Sequence, residues 1–339
     1  MRHKTDGTIQ KDLDDGIDTI GKKMTVCQLY AKQIRHRGNV RYNTKNGRKR
    51  LMKLLEEDKL GGCPIDSVKL SDAKEWAIRM KEKGISYKTI SNDKRSLKAA
   101  FYTAIQDDCI RKNPFDFQLN TVIEDDTEPK VPLTPAQEES FLSFAQNDKV
   151  YQKYYDELII LLGTGLRISE LCGLTDTDID FENRIINVDH QLLRSAETGY
   201  YIETPKTKSG IRQIPMSEKV YEAFNRVLKR SRGAKAVTID GYSNFLFLNR
   251  DGYPKTATNY DGMFRGHAKK YNKYHEEALP KVMTPHTLRH TFCTNMANAG
   301  MNPKALQYIT GHSNITMTLN YYAHATFDSA KAEMLRIAA

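Results

Sequence analysis

Residues 284–324 read TPHTLRHTFCTNMANAGMNPKALQYITGHSNITMTLNYYAH, and their pattern predicts three short helices in succession. The first begins at Thr284 and Pro285, because threonine can cap a helix and proline costs nothing at the first helical position. Asn302 and Asn314 are caps of the same kind and start the second and third helices. The stretch therefore predicts a helical bundle near the end of the chain.

The reactive side chains of this stretch stand at the helix ends. His286 and Arg289 are three residues apart, so they share one helical face. His312 lies in a Gly-His-Ser turn, and Tyr322 follows it after ten residues. Its neighbour Tyr321 is expected to be a packing residue, but it remains the alternative to Tyr322 as the reactive tyrosine.

Three further cations precede this stretch. Arg167 stands in the sequence TGLRISEL, directly after an apolar helical pattern. Lys206 and Lys208 both lie in the sequence PKTKSG, and hairpin registers are easily misplaced by two residues. We interpret PKTKSG as the turn of a hairpin with the strands Tyr200–Thr204 and Ile211–Ile214.

Each of these residues has an ordinary structural explanation when it is taken alone. An arginine at a helix start, such as Arg167, commonly pairs with a glutamate one turn later, here Glu170. A single histidine is also more often structural than catalytic. Six suitable residue types in one order, from Arg167 to Tyr322, are harder to explain in this way, and they predict a reaction site.

The side-chain types favour covalent cleavage of phosphodiesters. The sequence has no H-E-x-x-H motif, P-loop or nucleophile elbow, and no carboxylate cluster suited to Mg²⁺. Covalent cleavage requires a nucleophile, cations for the pentacoordinate phosphate, a base and an acid. Guanidinium groups suit the non-bridging oxygens because they bind two at once. We therefore expect neither a metal nor another cofactor.

These motifs resemble the tyrosine recombinases, or phage-type integrases, and most closely the integrases of integrative and conjugative elements (conjugative transposons). The resemblance covers about residues 24–335 and rests on TGLRISEL, on H-x-x-R at His286, on G-H at His312 and on Y-x-H at Tyr322. It implies a site-specific DNA recombinase that integrates and excises a transposon. Such an enzyme cuts and rejoins strands through a 3′-phosphotyrosine intermediate without metal or ATP.

The resemblance also implies roles for the residues that bind the scissile phosphate. Arg167 and Arg289 are expected to clamp it, and His312 is expected to donate a hydrogen bond to it. His286 is expected to act as the general base or to orient that base. These four residues match the most specific parts of the motifs.

The same resemblance implies the groups that exchange bonds and protons. Tyr322 is expected to attack the phosphorus, since the Y-x-H element and its distance from His312 favour it over Tyr321. Lys208 is expected to protonate the departing 5′ oxygen, with Lys206 as the alternative.

The charge of the chain is concentrated in its first third. The 339 residues carry a net charge of +10, and residues 1–120 have 26 Lys and Arg against 16 Asp and Glu, which is the entire excess. Residues 31–55 include nine basic residues and no acidic one. A solvated helix face is the plain explanation, but an unbalanced run of this density favours a polyanionic partner, for which double-stranded DNA is the simplest candidate.

Four helices are predicted between residues 23 and 119, and the second and fourth each have a basic face. Helices with arginine, lysine and asparagine side chains can enter a major groove and contact phosphates. The candidate DNA contacts are Arg41, Lys45, Arg48, Lys49, Lys88, Asn92, Lys94, Arg95 and Lys98, together with Lys206 and Arg212 from the later hairpin.

These patterns predict an α-rich protein of two domains. A lead-in segment (1–22) precedes an all-α four-helix, SAM-like core-DNA-binding domain (23–119), and an acidic, proline-containing linker follows (120–132). Residues 133–339 are expected to form an α+β catalytic domain with a small antiparallel sheet, including a strand at Phe245–Leu248. An amphipathic helix at about 327–337 is expected to dock on a neighbouring protomer.

The resemblance implies a homo-oligomer on DNA, with a dimer on one site and a tetramer in the synapse, and an excision factor as a further partner. No signal peptide or membrane span is evident, and the five cysteines are scattered, so we expect a cytoplasmic, nucleoid-associated protein. Many element integrases have an additional N-terminal arm-binding domain, and this chain is expected to lack one. Alternatives are a chromosome-dimer resolvase, a type IB-like DNA-relaxing enzyme and a catalytically silent DNA-binding regulator.

Overall fold

The computed structural model of the protein describes residues 21–38, 40–128, 131–205, 207–231, 237–280, 282–322 and 334–335. The predicted lead-in segment lies outside these residues except for its last two positions, and so does Lys206. Of the predicted docking helix only Met334 and Leu335 are described. The chain divides into two compact units, Met1–Pro129 and Lys130–Ala339. None of the helices in the described ranges is long and apolar enough to cross a membrane.

The first unit is helical. Thr25 caps its first helix in a reciprocal capping box with Gln28, and Ser86 caps the fourth by accepting a hydrogen bond from the Thr89 amide. Arg41 is the N-cap of the second helix and makes no side-chain capping hydrogen bond. The helices are α1 (Val26–His36), α2 (Tyr42–Glu56), α3 (Leu70–Glu82) and α4 (Tyr87–Gln106).

The core of this unit forms around Trp76, which is fully buried on α3. Its indole meets the ring of Phe115 edge-on at 5.8 Å, and Phe115 lies 5.4 Å from the ring of Phe101 on α4. Residues that follow α4, up to Ile123, pack against the same core. Removing one such ring would cost about 3–5 kcal/mol, so these contacts fix the positions of α3 and α4.

The second unit combines helices with short antiparallel strands, as the predicted fold class required. Its helices are α5 (Pro135–Asn147), α6 (Tyr155–Thr164), α7 (Ile168–Gly173), α8 (Glu218–Ser231), α9 (Ala257–Tyr274), α10 (Pro285–Asn298), α11 (Pro303–Thr310) and α12 (Ile315–Leu319). Its strands are β1 (Ile179–Asp180), β2 (Ile185–Val188), β3 (Gln191–Ser195), β4 (Gly199–Glu203) and β5 (Arg212–Pro215).

The predicted hairpin around PKTKSG is wrong in its pairing. β4 pairs with β3, and β5 pairs with β2 in the separate sheet β1-β2-β5. The β3–β4 hairpin closes at Gly199, whose φ of +69° suits glycine. PKTKSG therefore connects two sheets. In β5, the side chains of Arg212 and Ile214 face inwards.

The predicted strand Phe245–Leu248 is also wrong. This segment forms isolated bridges, from Phe245 to Thr175 and from Leu248 to Pro254, in place of a continuous ladder. Phe245, Leu246 and Phe247 are all buried, so the apolar run fills the core without the alternation of a strand with one exposed face.

Two left-handed glycines place the residues that matter for function. Gly165 ends α6 with a φ of +63°, and a Cβ there would come within 2.4 Å of the Phe292 ring. Gly311 ends α11 with a φ of +64°, where a Cβ would come within 2.9 Å of the Ser209 carbonyl oxygen. Glycine therefore allows α6 to turn into Arg167 and α11 to turn into His312.

Candidate active site

Arg167 lies at the N-terminus of α7 and is held by a buried carboxylate. Its backbone amide donates to Glu170 Oε2 at 2.8 Å and its guanidinium donates to Glu170 Oε1 at 2.7 Å. Its second guanidinium nitrogen donates to the Gly311 carbonyl at 3.0 Å. Arg167 is one-third exposed, so the fixed guanidinium also faces solvent.

The carboxylate of Glu170 is buried and accepts hydrogen bonds from two arginines, Arg167 and Arg212. Arg212 donates to both oxygens of its carboxylate, at 2.8 and 3.1 Å. Burial alone would raise the pKa of Glu170, but the hydrogen bonds and charge of Arg212, together with the charge of Arg167, lower that pKa to about 2. The carboxylate is therefore ionised at neutral pH.

Arg289 on α10 is buried beside the same group. Its guanidinium donates to the carbonyl of Gly165 and to the carbonyl of Thr310. Burial, followed by repulsion from Arg167, lowers the pKa of Arg289 to about 10, so the side chain stays cationic at neutral pH. The structure therefore brings Arg167 and Arg289 to the same place, both close to Glu170.

His312 follows α11 and is 3% exposed. Its Nδ1 lies 2.9 Å from the hydroxyl of Thr318. Burial, and then repulsion from Arg289, Arg167 and Arg212, lowers the pKa of His312 to about 4. The imidazole is therefore neutral at neutral pH and lies within the field of all three arginines.

The two adjacent tyrosines point to different partners. The ring of Tyr321 lies parallel to that of His312, and burial raises the pKa of its phenol to about 12. The electrostatic effect of Arg289 partly opposes that rise, which places Tyr321 within its field. The hydroxyl of Tyr322 instead donates to the Met301 carbonyl at 2.5 Å, and both tyrosine side chains pack against the cluster of Phe292, Cys293 and Leu306.

The remaining predicted catalytic side chains are exposed. His286 stands one turn before Arg289 on α10, and Lys208 begins a single 3-10 turn that ends at Gly210. That turn lies against the His312 loop, because the Ser209 carbonyl approaches Gly311 closely. Lys208 is therefore near the cluster in the fold.

Arg212 does not suit the predicted role of a DNA contact. Its side chain is 0% exposed, and its guanidinium is bonded to Glu170 and to the carbonyls of Ile309 and Gly210. Alternation along β5 explains this burial, since Arg212 lies on the same inward face as Ile214. The alternation along β5 could have predicted the buried position of Arg212 from the sequence, but the positive charge suggested a surface position.

Most candidate DNA contacts of the first unit do face outwards. Lys88, Asn92 and Arg95 are exposed at helical spacing on α4, and Lys45 and Lys49 are exposed on α2. Arg41 and Arg48 are partly buried.

Two lysines of the predicted α4 face are engaged within the unit. The ammonium of Lys94 donates to the Phe117 carbonyl at 2.5 Å and lies 4.4 Å from the centre of the Phe117 ring, and burial lowers its pKa. Lys98 pairs with Asp116 at 2.6 Å. Similarly, Arg50 pairs with the buried Asp93, which sequence reasoning had missed, so part of the basic run is neutralised inside the protein.

One group among the described residues has metal-ligand geometry, formed by Asp178, Asp189 and His190. The His190 Nδ1 lies 2.6 Å from Asp189 Oδ1, and its Nε2 lies 2.8 Å from the Gly173 carbonyl. The Asp178 carboxylate accepts two hydrogen bonds from Thr175. These atoms already have structural partners, so the group acts as a brace between α7 and β3.

Comparison with known proteins gives a consistent answer. Residues 132–329 match the phage integrase family. The chain is 68% identical over 329 residues to the transposase from transposon Tn916 of Enterococcus faecalis, which covers 97% of this chain and 81% of that protein.

Solved structures are similar over most of the chain. The Tn1549 transposon integrase in complex with a circular intermediate DNA, with an arginine-to-lysine substitution, matches with a TM-score of 0.89 and 77% identity over 92% of this chain and 99% of that chain. The same integrase with a tyrosine-to-phenylalanine substitution, in complex with transposon right end DNA, matches with a TM-score of 0.88. A lambda integrase dimer on a core site shares the fold at 16% identity, with a TM-score of 0.61 over 95% of this chain and 82% of that chain.

The matched family region contains Arg167, the His312 turn and both tyrosines, and it spans more than half of the chain. The similarity to the Tn916 transposase covers 97% of this chain, so it includes the first unit as well. Sequence, site geometry and comparison therefore agree on a DNA strand-transferring enzyme. The chain belongs to the phage integrase family and is a tyrosine recombinase that carries out site-specific recombination.

Proposed function

We propose that the chain is the integrase of a conjugative transposon and that Arg167, Arg289, His312 and Tyr321 act on one scissile phosphate. The observation that carries this proposal is the convergence of two arginines, a neutral histidine and a tyrosine from four separate segments. The 68% identity to the Tn916 transposase supports the kind of element.

The arginines bind and polarise the phosphate. The hydrogen bonds to protein carbonyls and to Glu170 engage two of the five N–H groups of each guanidinium, so others can reach the non-bridging oxygens. These donors are fixed in advance, and stabilisation of the transition-state charge needs little reorganisation. Neutral His312 adds a further hydrogen bond from Nε2 if Nδ1 accepts from Thr318.

Tyr321 is the proposed nucleophile in place of the predicted Tyr322. In the Tn1549 integrase, the substituted arginine and the substituted tyrosine lie 154 residues apart. In this chain Tyr321 follows Arg167 by 154 residues (321 − 167), and Tyr322 follows it by 155. The Tyr321 ring lies parallel to the His312 imidazole, which supports the same choice. Both hydroxyls have protein partners, Cys293 for Tyr321 and the Met301 carbonyl for Tyr322.

The reaction conserves the energy of the phosphodiester. The Tyr321 oxygen bonds to phosphorus and gives up its proton, and the bond to the 5′ oxygen breaks as that oxygen receives a proton. The products are a 3′-phosphotyrosine and a 5′ hydroxyl, which can reseal on another strand. Since the pKa of Tyr321 is raised to about 12, attack needs a proton acceptor, for which we propose His286.

Lys208 is the proposed acid for the 5′ oxygen. It is exposed on the turn that lies against the His312 loop, where it can reach a bound backbone. Lys206 is the alternative acid in the same segment. Replacing each lysine in turn and measuring cleavage shows which of the two is the acid.

We also propose that the chain acts as a dimer on one site and as a tetramer in the synapse. The first unit supplies α2 and α4 to the duplex, and the segment at about 327–337 docks on a neighbour. Deletion of residues 326–339 should impair cooperative binding and recombination while one protomer still binds. Unchanged cooperativity and recombination would refute the docking role. An excision factor completes the proposed set of partners.

Recombination between two duplexes tests the proposed function. One duplex carries the transposon right end of the Tn1549 type and is labelled, and the other carries a circular-intermediate site. The account predicts labelled exchange products from the wild-type chain and none from Arg289→Ala. Specific binding of both duplexes with no exchange would identify a silent DNA-binding protein and contradict the proposal.

A further inference from the structure

Arg212 joins the three segments that hold the proposed catalytic residues. Its guanidinium binds both oxygens of Glu170 on α7, at 2.8 and 3.1 Å. Its Nε donates to the Ile309 carbonyl at 2.6 Å, near the end of α11, and a terminal nitrogen donates to the Gly210 carbonyl at 3.1 Å. One fully buried side chain is therefore bonded to three different elements.

Each of these partners is adjacent to a proposed catalytic group. Glu170 holds the amide and the guanidinium of Arg167. Ile309 lies three residues before His312, and Gly210 closes the turn that begins at Lys208. Displacement of Arg212 would therefore be transmitted to an arginine, a histidine and a lysine of the reaction.

Stability alone is a weak explanation for this arrangement. A buried ion pair repays little of its desolvation cost, and an apolar side chain would suit the inward face that Arg212 shares with Ile214. The bonds to two carbonyls also need a planar fork with several donors, which lysine lacks. The geometry thus favours a residue that fixes positions.

We propose that Arg212 is a positioning residue for strand cleavage, which acts through Glu170 on Arg167 and through the Ile309 carbonyl on the His312 turn. The inference rests on the proposed function of these residues. Without the fork, Glu170 keeps its bonds to Arg167 but gains freedom to move. Since a misplacement of 1 Å can cost about 100-fold in rate, Arg212→Met should slow cleavage by roughly 30- to 100-fold.

The test measures single-turnover covalent cleavage of a right-end duplex that carries a 5′-bridging phosphorothiolate, together with binding of the intact duplex. Lys255→Met is the matched control, because Lys255 also pairs with a buried carboxylate in the same unit, Glu157. Arg212→Lys serves as the conservative variant if Arg212→Met folds poorly. It keeps the charge beside Glu170 but not the fork, and should lose about 10-fold in rate.

The inference predicts unchanged binding, slow cleavage by Arg212→Met and near-normal cleavage by Lys255→Met even if both variants unfold at a lower temperature. It also predicts that the losses from Arg212→Met and Glu170→Gln do not multiply in the double variant, because both changes reach Arg167 through the Glu170 carboxylate. Equal losses in Arg212→Met and Lys255→Met, or multiplied losses in the double variant, would overturn it. A wild-type chain without any adduct would overturn the proposed chemistry as well, whereas a wild-type adduct with fast Arg212→Met cleavage would overturn this inference alone.

Discussion

The ring of Tyr321 lies parallel to the imidazole of His312, with 6.4 Å between the ring centroids and 7° between the planes. The next residue, Tyr322, turns away and bonds to the Met301 carbonyl. The two adjacent tyrosines pack against the same cluster of Phe292, Cys293 and Leu306 but have different polar partners. The Tyr321 ring faces the His312 imidazole, and the Tyr322 hydroxyl is bonded to the connection between α10 and α11.

Tyr322→Phe should lower stability and leave cleavage intact. The change removes one hydrogen bond to a backbone carbonyl, which contributes about 1 kcal/mol. Denaturant unfolding would measure this loss, and a covalent cleavage assay would show whether the rate stays within about 2-fold of wild type. A variant that is stable but cannot cleave would contradict our assignment of the two tyrosines.

Removal of the acid should be rescued by sulfur in the leaving group. Lys208→Ala should cleave an ordinary phosphodiester about 100-fold more slowly, because general acid catalysis typically contributes a factor of this order. A 5′-bridging phosphorothiolate needs no proton on departure, so it should restore the rate. Lys206→Ala is the matched variant in the same PKTKSG sequence. If Lys206→Ala shows the rescued defect and Lys208→Ala does not, the acid is Lys206.

His267 makes the protein sensitive to mild acid. It is completely buried among the rings of Phe141, Phe144 and Tyr151, and burial lowers its pKa to about 4. A lowered folded pKa means that the unfolded chain binds more protons between about pH 6.5 and 4. The contribution of neutral, buried His267 to the free energy of unfolding is therefore complete above about pH 6.5 and is lost as the pH falls.

Between pH 7 and 5 the wild-type chain should lose about 2 kcal/mol more unfolding free energy than His267→Met, given 1.36 kcal/mol per pH unit below the unfolded pKa. Unfolding by urea at each pH measures the difference, and other titrating groups cancel between the two chains. Parallel pH profiles for the two proteins would show that His267 does not titrate in this way.

The exposed face of α4 should determine the salt dependence of DNA binding. Lys88 and Arg95 lie on that face, so replacing both with glutamine should reduce the slope of log K against log salt by roughly 0.9 for each phosphate that is no longer neutralised. Lys94→Gln is the control, because the ammonium of Lys94 is engaged by Phe117. An equal change of slope in Lys94→Gln would show that this lysine leaves Phe117 and binds the DNA backbone.

Local signals predicted the helices of the site well. Thr284-Pro285 and Asn302-Pro303 both begin a helix in the structure, because a cap and a proline act within one turn. The positions of Arg289 and His312 beside Arg167 followed from the family resemblance. The sequence spacing itself does not show that these segments meet.

Long-range pairing was beyond local signals. PKTKSG looks like a hairpin turn, but β4 finds its partner in β3, and β5 pairs with the distant β2. The role of Arg212 depends on Glu170 and Ile309, which lie 42 and 97 residues away in the chain. Such contacts are decided by packing of the whole unit, so charge alone gave the wrong expectation for this arginine.

The identity of the nucleophile is the central claim. Wild-type protein would be incubated with a right-end duplex that carries a 5′-bridging phosphorothiolate, and peptide mapping of the trapped adduct would locate the DNA-linked residue. We predict an adduct on Tyr321, present in Tyr322→Phe and absent in Tyr321→Phe. An adduct on Tyr322 would contradict the assignment. A bound duplex without any protein–DNA linkage would contradict the covalent mechanism itself.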